Sequence, residues 1–185
     1  MRFLRDIIII VLFALAISII ARVTIETREV YHQSMLPTIE PGEFLIVSKV
    51  AYFFNDPERG DIAVMEHPYN SDQPLIKRII GLPGDFIEIK DNQVYINGSL
   101  LDEPYIREPV DYKYPYEEIP PDNYFVLGDN RNMSNDSSRG WTVPREKIIG
   151  KVWITYWPPP QWKTIKHYNP MINDLSAIIK MPSQV

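Results

Sequence analysis

The chain of 185 residues contains no cysteine, which limits the chemistry it can perform. Without cysteine there is no disulfide framework, no thiol nucleophile and no thiolate metal site. The three histidines do not occur in a metal-ligand spacing such as His-Glu-x-x-His. We therefore expect neither a metal ion nor a cofactor.

Basic residues and glycines are also scarce. Lysine and arginine number 19 against 24 acidic residues, giving a net charge of −5, which argues against a nucleic-acid partner. There are 8 glycines but 17 prolines, and no long helical periodicity occurs after the N-terminal segment. Short apolar runs interrupted by turn residues predict a mainly β domain instead.

One apolar run is long enough to matter, and it lies at the N-terminus. Ile7–Ala21 carries no charge and follows Arg2 and Arg5. As a helix this run measures about 22 Å, and extension to Ile25 gives about 28 Å, close to the thickness of a bilayer core. We predict that residues 1–25 form a cytoplasmic flank and a single transmembrane anchor, with the rest of the chain outside.

A cleaved signal peptide is the alternative, because its apolar region has this length. The residues that follow, Arg22–Glu26, do not form a small-residue cleavage site. We therefore favour an uncleaved anchor, with Arg22 reaching towards the headgroups.

Residues 26–168 are predicted to form one extracytoplasmic all-β domain, followed by a tail over 169–185. The candidate strands are Phe44–Lys49, Ile62–Glu66, Leu75–Ile80, Phe86–Lys90, Gln93–Ile96, Tyr124–Leu127 and Ile148–Tyr156. Asp102–Pro121, rich in proline and tyrosine, is predicted to be an irregular inserted arm. In the tail, a short helix is expected from Asn173, with Leu175, Ile178 and Ile179 on one face.

Three polar stretches carry the functional signal. The first, His32–Thr38, places Ser34 on a turn that Pro37 stiffens. The others are Lys77–Asp85 (KRIIGLPGD) and Gly128–Ser137 (GDNRNMSNDS). Each alone is weak evidence, since most serines in loops are structural. In this order behind an anchor, however, the three resemble the signature boxes of bacterial type I signal peptidase, also called leader peptidase.

The resemblance implies that Ser34 is a nucleophile and Lys77 its general base. The residues around Lys77 also favour a general base. A strand places Leu75 and Ile79 on the same face as Lys77, where they would exclude water from the amine. An exposed Lys-Arg pair on an edge strand is the alternative for this stretch. A histidine base such as His32 is the alternative for the mechanism.

The third stretch is implied to support this dyad. Ser134 matches a serine that hydrogen-bonds the base lysine, and three residues match those that hold the loop: Asp129, Asn130 and Arg131. Asp136 matches an acid that pairs with an arginine. The usual position of that arginine holds Ser138, so we expect Arg139 or Arg131 to take the role. The resemblance also implies that the insertion over 102–121 is a small, non-catalytic cap.

The same resemblance extends to the oxyanion hole and the substrate pockets. The backbone N–H of Ser34 is implied as one oxyanion donor. His32 stands where many members have a second, hydroxyl donor, so His32, a backbone group or water could supply it. Three residues are candidates for lining pockets that accept small side chains: Met35, Leu75 and Ile76.

The predicted function is therefore a membrane-anchored serine endopeptidase that removes signal peptides from exported preproteins at the outer face of the cytoplasmic membrane. Its partners would be those signal peptides and the lipid bilayer; the sequence does not indicate an oligomeric state. Two alternatives remain at this point. One is a self-cleaving repressor-type protease with a Ser/Lys dyad, and the other is an anchored β module without enzymatic activity.

Overall fold

The computed structural model describes residues 2–168 and 172–173. It begins with one helix, α1, over Arg2–Thr24. At about 1.5 Å per residue this helix is about 34 Å long. Among the described residues, only its segment Phe3–Thr24 is long and apolar enough to cross a membrane, with a mean hydropathy of 2.8. The helix begins before the apolar run and includes Arg5 and Asp6, which form an exposed ion pair.

Short antiparallel strands make up the rest of the described regular structure. They are β1 Ile25–Glu29, β2 Phe44–Ser48, β3 Ile62–His67, β4 Asn70–Gly81, β5 Phe86–Lys90, β6 Gln93–Ile96, β7 Ser99–Leu101, β8 Tyr114–Glu118, β9 Asn123–Leu127, β10 Val143–Pro144, β11 Ile148–Trp157, β12 Lys163–Thr164 and β13 Ile172–Asn173. Short 3₁₀ turns connect several of them. The predicted mainly β class is confirmed.

The strands form two sheets. The larger has the order β1-β2-β11-β3-β4-β9-β10, with β12 attached to β11. The smaller has the order β13-β7-β6-β5-β8. One apolar core lies between the smaller sheet and strands β4 and β9, where Ile80 and Phe125 meet Ile87 and Ile96. This shared core fixes the smaller sheet against the strand that carries Lys77.

All seven predicted strands are present, but the sequence pattern did not reveal six others. The strand β1 reads Ile-Glu-Thr-Arg-Glu, and its residues alternate between exposed and half-buried positions at the sheet edge, so it has no apolar signature. The predicted irregular arm at 102–121 is wrong in part, because Tyr114–Glu118 pairs with β5. The predicted helix after Asn173 lies outside the described residues.

Pairing between β4 and its neighbours brings the three polar stretches together. β3 pairs with one edge of β4, and β9 pairs with the other edge from Arg78 onwards. Arg78 lies opposite Leu127, so the stretch that begins at Gly128 starts beside Lys77. The turn that carries Ser34 follows β1 and rests against the same loop, through a hydrogen bond from the Asn130 N–H to the Ser34 carbonyl at 3.0 Å.

Candidate active site

Ser34 and Lys77 are in direct contact. Ser34 lies in a 3₁₀ turn over Gln33–Met35, which Leu36 ends in an extended conformation before Pro37. The Nζ of Lys77 donates a hydrogen bond to the Oγ of Ser34 at 2.7 Å. A serine hydroxyl within hydrogen-bond distance of an amine is the arrangement that a nucleophile and its base require.

Lys77 is almost completely shielded from water, with 3% of its surface exposed. Burial disfavours the charged ammonium and lowers the pKa of Lys77 to about 8, although the charges of Asp136 and Asp129 oppose this change. The strand β4 is interior to the sheet, and Arg78 is buried as well. The alternative of an exposed Lys-Arg pair on an edge strand is therefore wrong.

On the opposite face of β4, Arg78 forms a buried ion pair with Asp129. The Arg78 Nε and Nη2 atoms donate to the two carboxylate oxygens at 2.8 and 2.6 Å. The hydroxyl of Thr38 donates to the same carboxylate at 2.5 Å. Since Thr38 belongs to the segment of Ser34, this carboxylate joins that segment to β4.

Asn130 and Gly128 hold the nucleophile segment from the other side. The side-chain amide of Asn130 donates to the Gln33 carbonyl at 3.0 Å, next to the backbone bond already described. A Cβ added at Gly128 would collide with the Ser34 carbonyl oxygen and with the side chain of Ser134. Only glycine allows this close approach.

Ser134 does not make the predicted hydrogen bond to Lys77. Its Oγ is buried and has no hydrogen-bond partner among the residues that the structure describes. The side chain packs against Gly128, while the amine of Lys77 is directed to Ser34. Ser134 thus borders the dyad, and its role in catalysis stays a prediction.

Asp136 differs from the expectation as well. Its carboxylate accepts hydrogen bonds from the Gly128 N–H at 2.9 Å and from the backbone N–H and hydroxyl of Ser138 at 3.2 and 2.8 Å. Within residues 2–168 it forms no ion pair with Arg139 or Arg131, so the predicted pairing is wrong. Ser138 satisfies the acid locally, while Arg139 is exposed.

Arg131 is instead paired with Glu103 in the insertion. The Nη1 and Nη2 atoms of Arg131 bind the two carboxylate oxygens at 2.7 and 2.5 Å. Its Nε donates to the Gly128 carbonyl at 3.1 Å. Sequence reasoning missed Glu103, because no spacing or motif connects residue 103 with residue 131.

A groove of about 640 Å³ opens beside the dyad. Both Ser34 and Lys77 line it. So do the predicted pocket residues Met35, Leu75 and Ile76, together with His32. His32 is exposed, and its assignment as an oxyanion donor stays a prediction. The arrangement is suited to a peptide that enters the groove and presents a carbonyl to Ser34.

Comparison with known proteins identifies the family. The family model described as signal peptidase, peptidase S26, matches residues 2–157. The chain belongs to this family.

Individual relatives agree with the assignment. The chain is 44% identical over 141 residues to a probable signal peptidase I-2 of Synechocystis sp., covering 74% of this chain but less than two thirds, 65%, of the relative. It is 45% identical over 141 residues to signal peptidase I of Leptolyngbya laminosa, with coverages of 72% and 69%. It is 38% identical over 169 residues to a probable signal peptidase I-1 of Synechocystis sp., with coverages of 87% and 86%.

Membership in the signal peptidase family confirms several sequence predictions. The resemblance to type I signal peptidase was correct, and so was the enzyme class, a serine endopeptidase. The family, together with the apolar helix, supports a membrane-anchored protein that removes signal peptides. Neither a repressor-type protease nor a non-enzymatic module agrees with this family.

The close contact at Gly128 leads to a first prediction. Gly128→Ala should lower kcat by about a hundredfold or more, because the added Cβ forces the Ser34 carbonyl or the loop to move, and small misplacements are costly in catalysis. Cleavage of a preprotein substrate, followed by gel electrophoresis, measures the effect. Asn135→Ala, which shortens an exposed side chain in the same stretch, is the control. Equal activity of the two variants would contradict the prediction.

Proposed function

We propose that this protein removes signal peptides from exported preproteins with a Ser/Lys dyad, in which Ser34 is the nucleophile and Lys77 the general base. The observation that carries the proposal is the 2.7 Å hydrogen bond between a buried lysine and a serine at the edge of a groove. Two of the three histidines are engaged elsewhere, since His67 and His167 accept hydrogen bonds from the backbone N–H groups of Tyr69 and Ile62.

The dyad acts through its neutral amine. Lys77 accepts the proton of the Ser34 hydroxyl as Oγ attacks the scissile carbonyl, and a tetrahedral intermediate forms. The ammonium then returns the proton to the leaving amine, and an acyl-enzyme remains. Lys77 next takes a proton from a water molecule, whose oxygen attacks the ester carbonyl. The bond between the acyl carbon and the Oγ of Ser34 then breaks, and Oγ recovers the proton from the ammonium, which restores both residues. The Ser34 N–H, together with His32, a backbone group or water, stabilises the oxyanion.

The groove can receive the substrate as an extended strand. From Pro74 to Lys77, β4 pairs with β3 along one edge, while β9 joins the other edge only from Arg78 onwards. β1 is the terminal strand of the same sheet. A peptide between these two edges would find backbone partners, with Met35, Leu75 and Ile76 selecting small side chains before the cut.

The dyad lies close to the end of the membrane helix. The helix ends at Thr24, whose carbonyl accepts a hydrogen bond from the Lys49 N–H at 2.9 Å. Ser34 follows Ile25 by nine residues, which span at most about 30 Å when extended. With Arg2 and Arg5 on the cytoplasmic side, the domain would lie at the outer face of the cytoplasmic membrane, where a translocated substrate emerges.

Substitutions of the dyad test the mechanism directly. Ser34→Ala, Lys77→Ala and Lys77→Arg should each abolish preprotein cleavage, the last because a guanidinium does not lose its proton. The double variant Ser34→Ala with Lys77→Ala should be no worse than either single one, since the two residues act as a unit. Thermal unfolding should show that the fold is retained. Activity in Lys77→Ala, with loss in His32→Ala, would replace the lysine by a histidine base.

The pH dependence tests the physical basis of the mechanism. Lys77 must be neutral to act, so kcat/KM should rise with pH through the pKa of Lys77 in the free enzyme. Burial lowers that pKa to about 8, and the acidic limb should lie there. An exposed lysine would place the limb near ~10.4 and a histidine base near ~6.5. Stopped assays with a short Ala-x-Ala peptide, from pH 6 to pH 11, separate the three cases.

The orientation requires a test of its own. In spheroplasts that express the protein, added protease should digest the domain after Ile25, because it is predicted to lie outside. A tag placed before Arg2 should resist digestion until the membrane is permeabilised, which is the internal control. Full protection of the domain in intact spheroplasts would show that the orientation is reversed.

A further inference from the structure

Glu103 and Arg131 form a buried ion pair between the insertion and the catalytic loop. The two hydrogen bonds, at 2.7 and 2.5 Å, form a bidentate fork. The arginine side chain is fully buried and that of the glutamate is 6% exposed. A buried guanidinium requires a carboxylate partner, and a fork also fixes its orientation. Glu103 therefore determines where Arg131 lies.

Arg131 passes this constraint on to the backbone next to the nucleophile. Its Nε donates to the Gly128 carbonyl at 3.1 Å. Gly128 in turn lies against the Ser34 carbonyl oxygen, with no space for a side chain between them. Glu103 is thus connected to Ser34 by one side chain and one backbone contact, although it does not line the groove.

Tyr105, two residues further along the insertion, reaches the other side of the same loop. Its hydroxyl donates to Glu103 at 2.9 Å, and its ring lies 4.0 Å from the Arg78 guanidinium carbon. Arg78 is the partner of Asp129, which follows Gly128. The insertion therefore contacts both arginines that flank the start of the loop.

A third contact joins the insertion to the loop beyond Arg131. The side chain of Asn132 accepts a hydrogen bond from the Asp111 N–H at 3.0 Å and donates one to the Pro109 carbonyl at 3.1 Å. Arg131 and Asn132 are adjacent, so two consecutive residues of the loop are held by the insertion. These contacts are specific in geometry, unlike a surface cap that only covers the loop.

We propose that Glu103 is a positioning residue for the Ser34–Lys77 dyad, acting through Arg131 and the Gly128 carbonyl. The proposal rests on the proposed function of the dyad. It assigns to the insertion, which the family resemblance describes as a non-catalytic cap, a direct part in the geometry of the active site. Glu103 itself touches neither substrate nor reacting atoms.

The test compares two isosteric substitutions of buried glutamates in the full-length protein in detergent. Glu103→Gln removes the charge that holds Arg131. Glu43→Gln removes another buried charge, which binds Thr155 of β11 and Lys163 of β12 at 3.0 and 2.9 Å and has no contact with Arg131. Each variant is assayed well below its melting temperature for kcat and KM on a preprotein, beside the wild type and Ser34→Ala.

If Glu103 is a positioning residue, its substitution should change kcat much more than KM. Glu103→Gln should lower kcat about tenfold or more and change KM by less than about twofold, because alignment is lost while the groove is retained. Glu43→Gln should change kcat by less than about twofold. Glu103→Asp, which keeps the charge on a shorter side chain, should recover part of the lost kcat.

Several outcomes would overturn the inference. If Glu103→Gln and Glu43→Gln have the same kcat, the ion pair serves stability alone. If Glu103→Gln does not fold, Tyr105→Phe replaces it, since it removes one hydrogen bond to Glu103 and keeps the ring on Arg78. An unchanged kcat in Tyr105→Phe would then refute the role, and a loss of about threefold would support it. A wild type that does not cleave at all would refute the proposed function instead.

Discussion

The buried ion pair between Arg78 and Asp129 is the constraint on which the site depends. Both side chains are inaccessible to solvent, and separating such a pair would leave an uncompensated charge in the interior, which costs about 3–5 kcal/mol. Arg78 is fixed on β4, while Asp129 is the second residue of the loop after β9. Because Thr38 binds the same carboxylate, the pair also holds the segment that carries Ser34. Three distant parts of the chain thus share one electrostatic centre.

The same strand places Lys77 on its opposite face, and the environment there determines how the amine can act. With a pKa of about 8, roughly one Lys77 in ten is neutral at pH 7. At the ordinary value of 10.5 the neutral fraction would be on the order of one in 3,000. Desolvation therefore accounts for most of the neutral fraction of Lys77, while the nearby charges of Asp136 and Asp129 reduce this fraction. Among the described residues the Asp136 carboxylate forms no ion pair with an arginine, and its hydrogen-bond donors are Gly128 and Ser138.

Sequence reasoning found those features that local patterns encode. Apolar alternation and turn residues located strands such as Phe86–Lys90, and the three polar stretches brought Ser34 and Lys77 to attention. Sequence reasoning failed where the structure depends on a contact between residues that are far apart in the sequence. The edge strand β1 is recognised only by its pairing with β2, and the strand Tyr114–Glu118 only by its pairing with β5. The partner of Asp136 is a different case: its contact with Ser138 is local, but the resemblance predicted an arginine as the partner.

The partners of Arg78 and Arg131 illustrate the difference between contacts that the sequence indicates and contacts that it does not. Arg78 and Asp129 lie within stretches that the sequence already singled out, so their pairing required only that β4 and β9 be neighbours. Glu103 lies in a segment without periodicity, and its contact with Arg131 exists only because the smaller sheet packs on β4 and β9 through a common core.

A catalytic loop that must stay aligned to fractions of an ångström needs restraints from more than one side. The larger sheet supplies one restraint through Arg78, and the insertion supplies the second through Glu103. An insertion that merely covered the site would have no reason to bury a carboxylate beneath the loop.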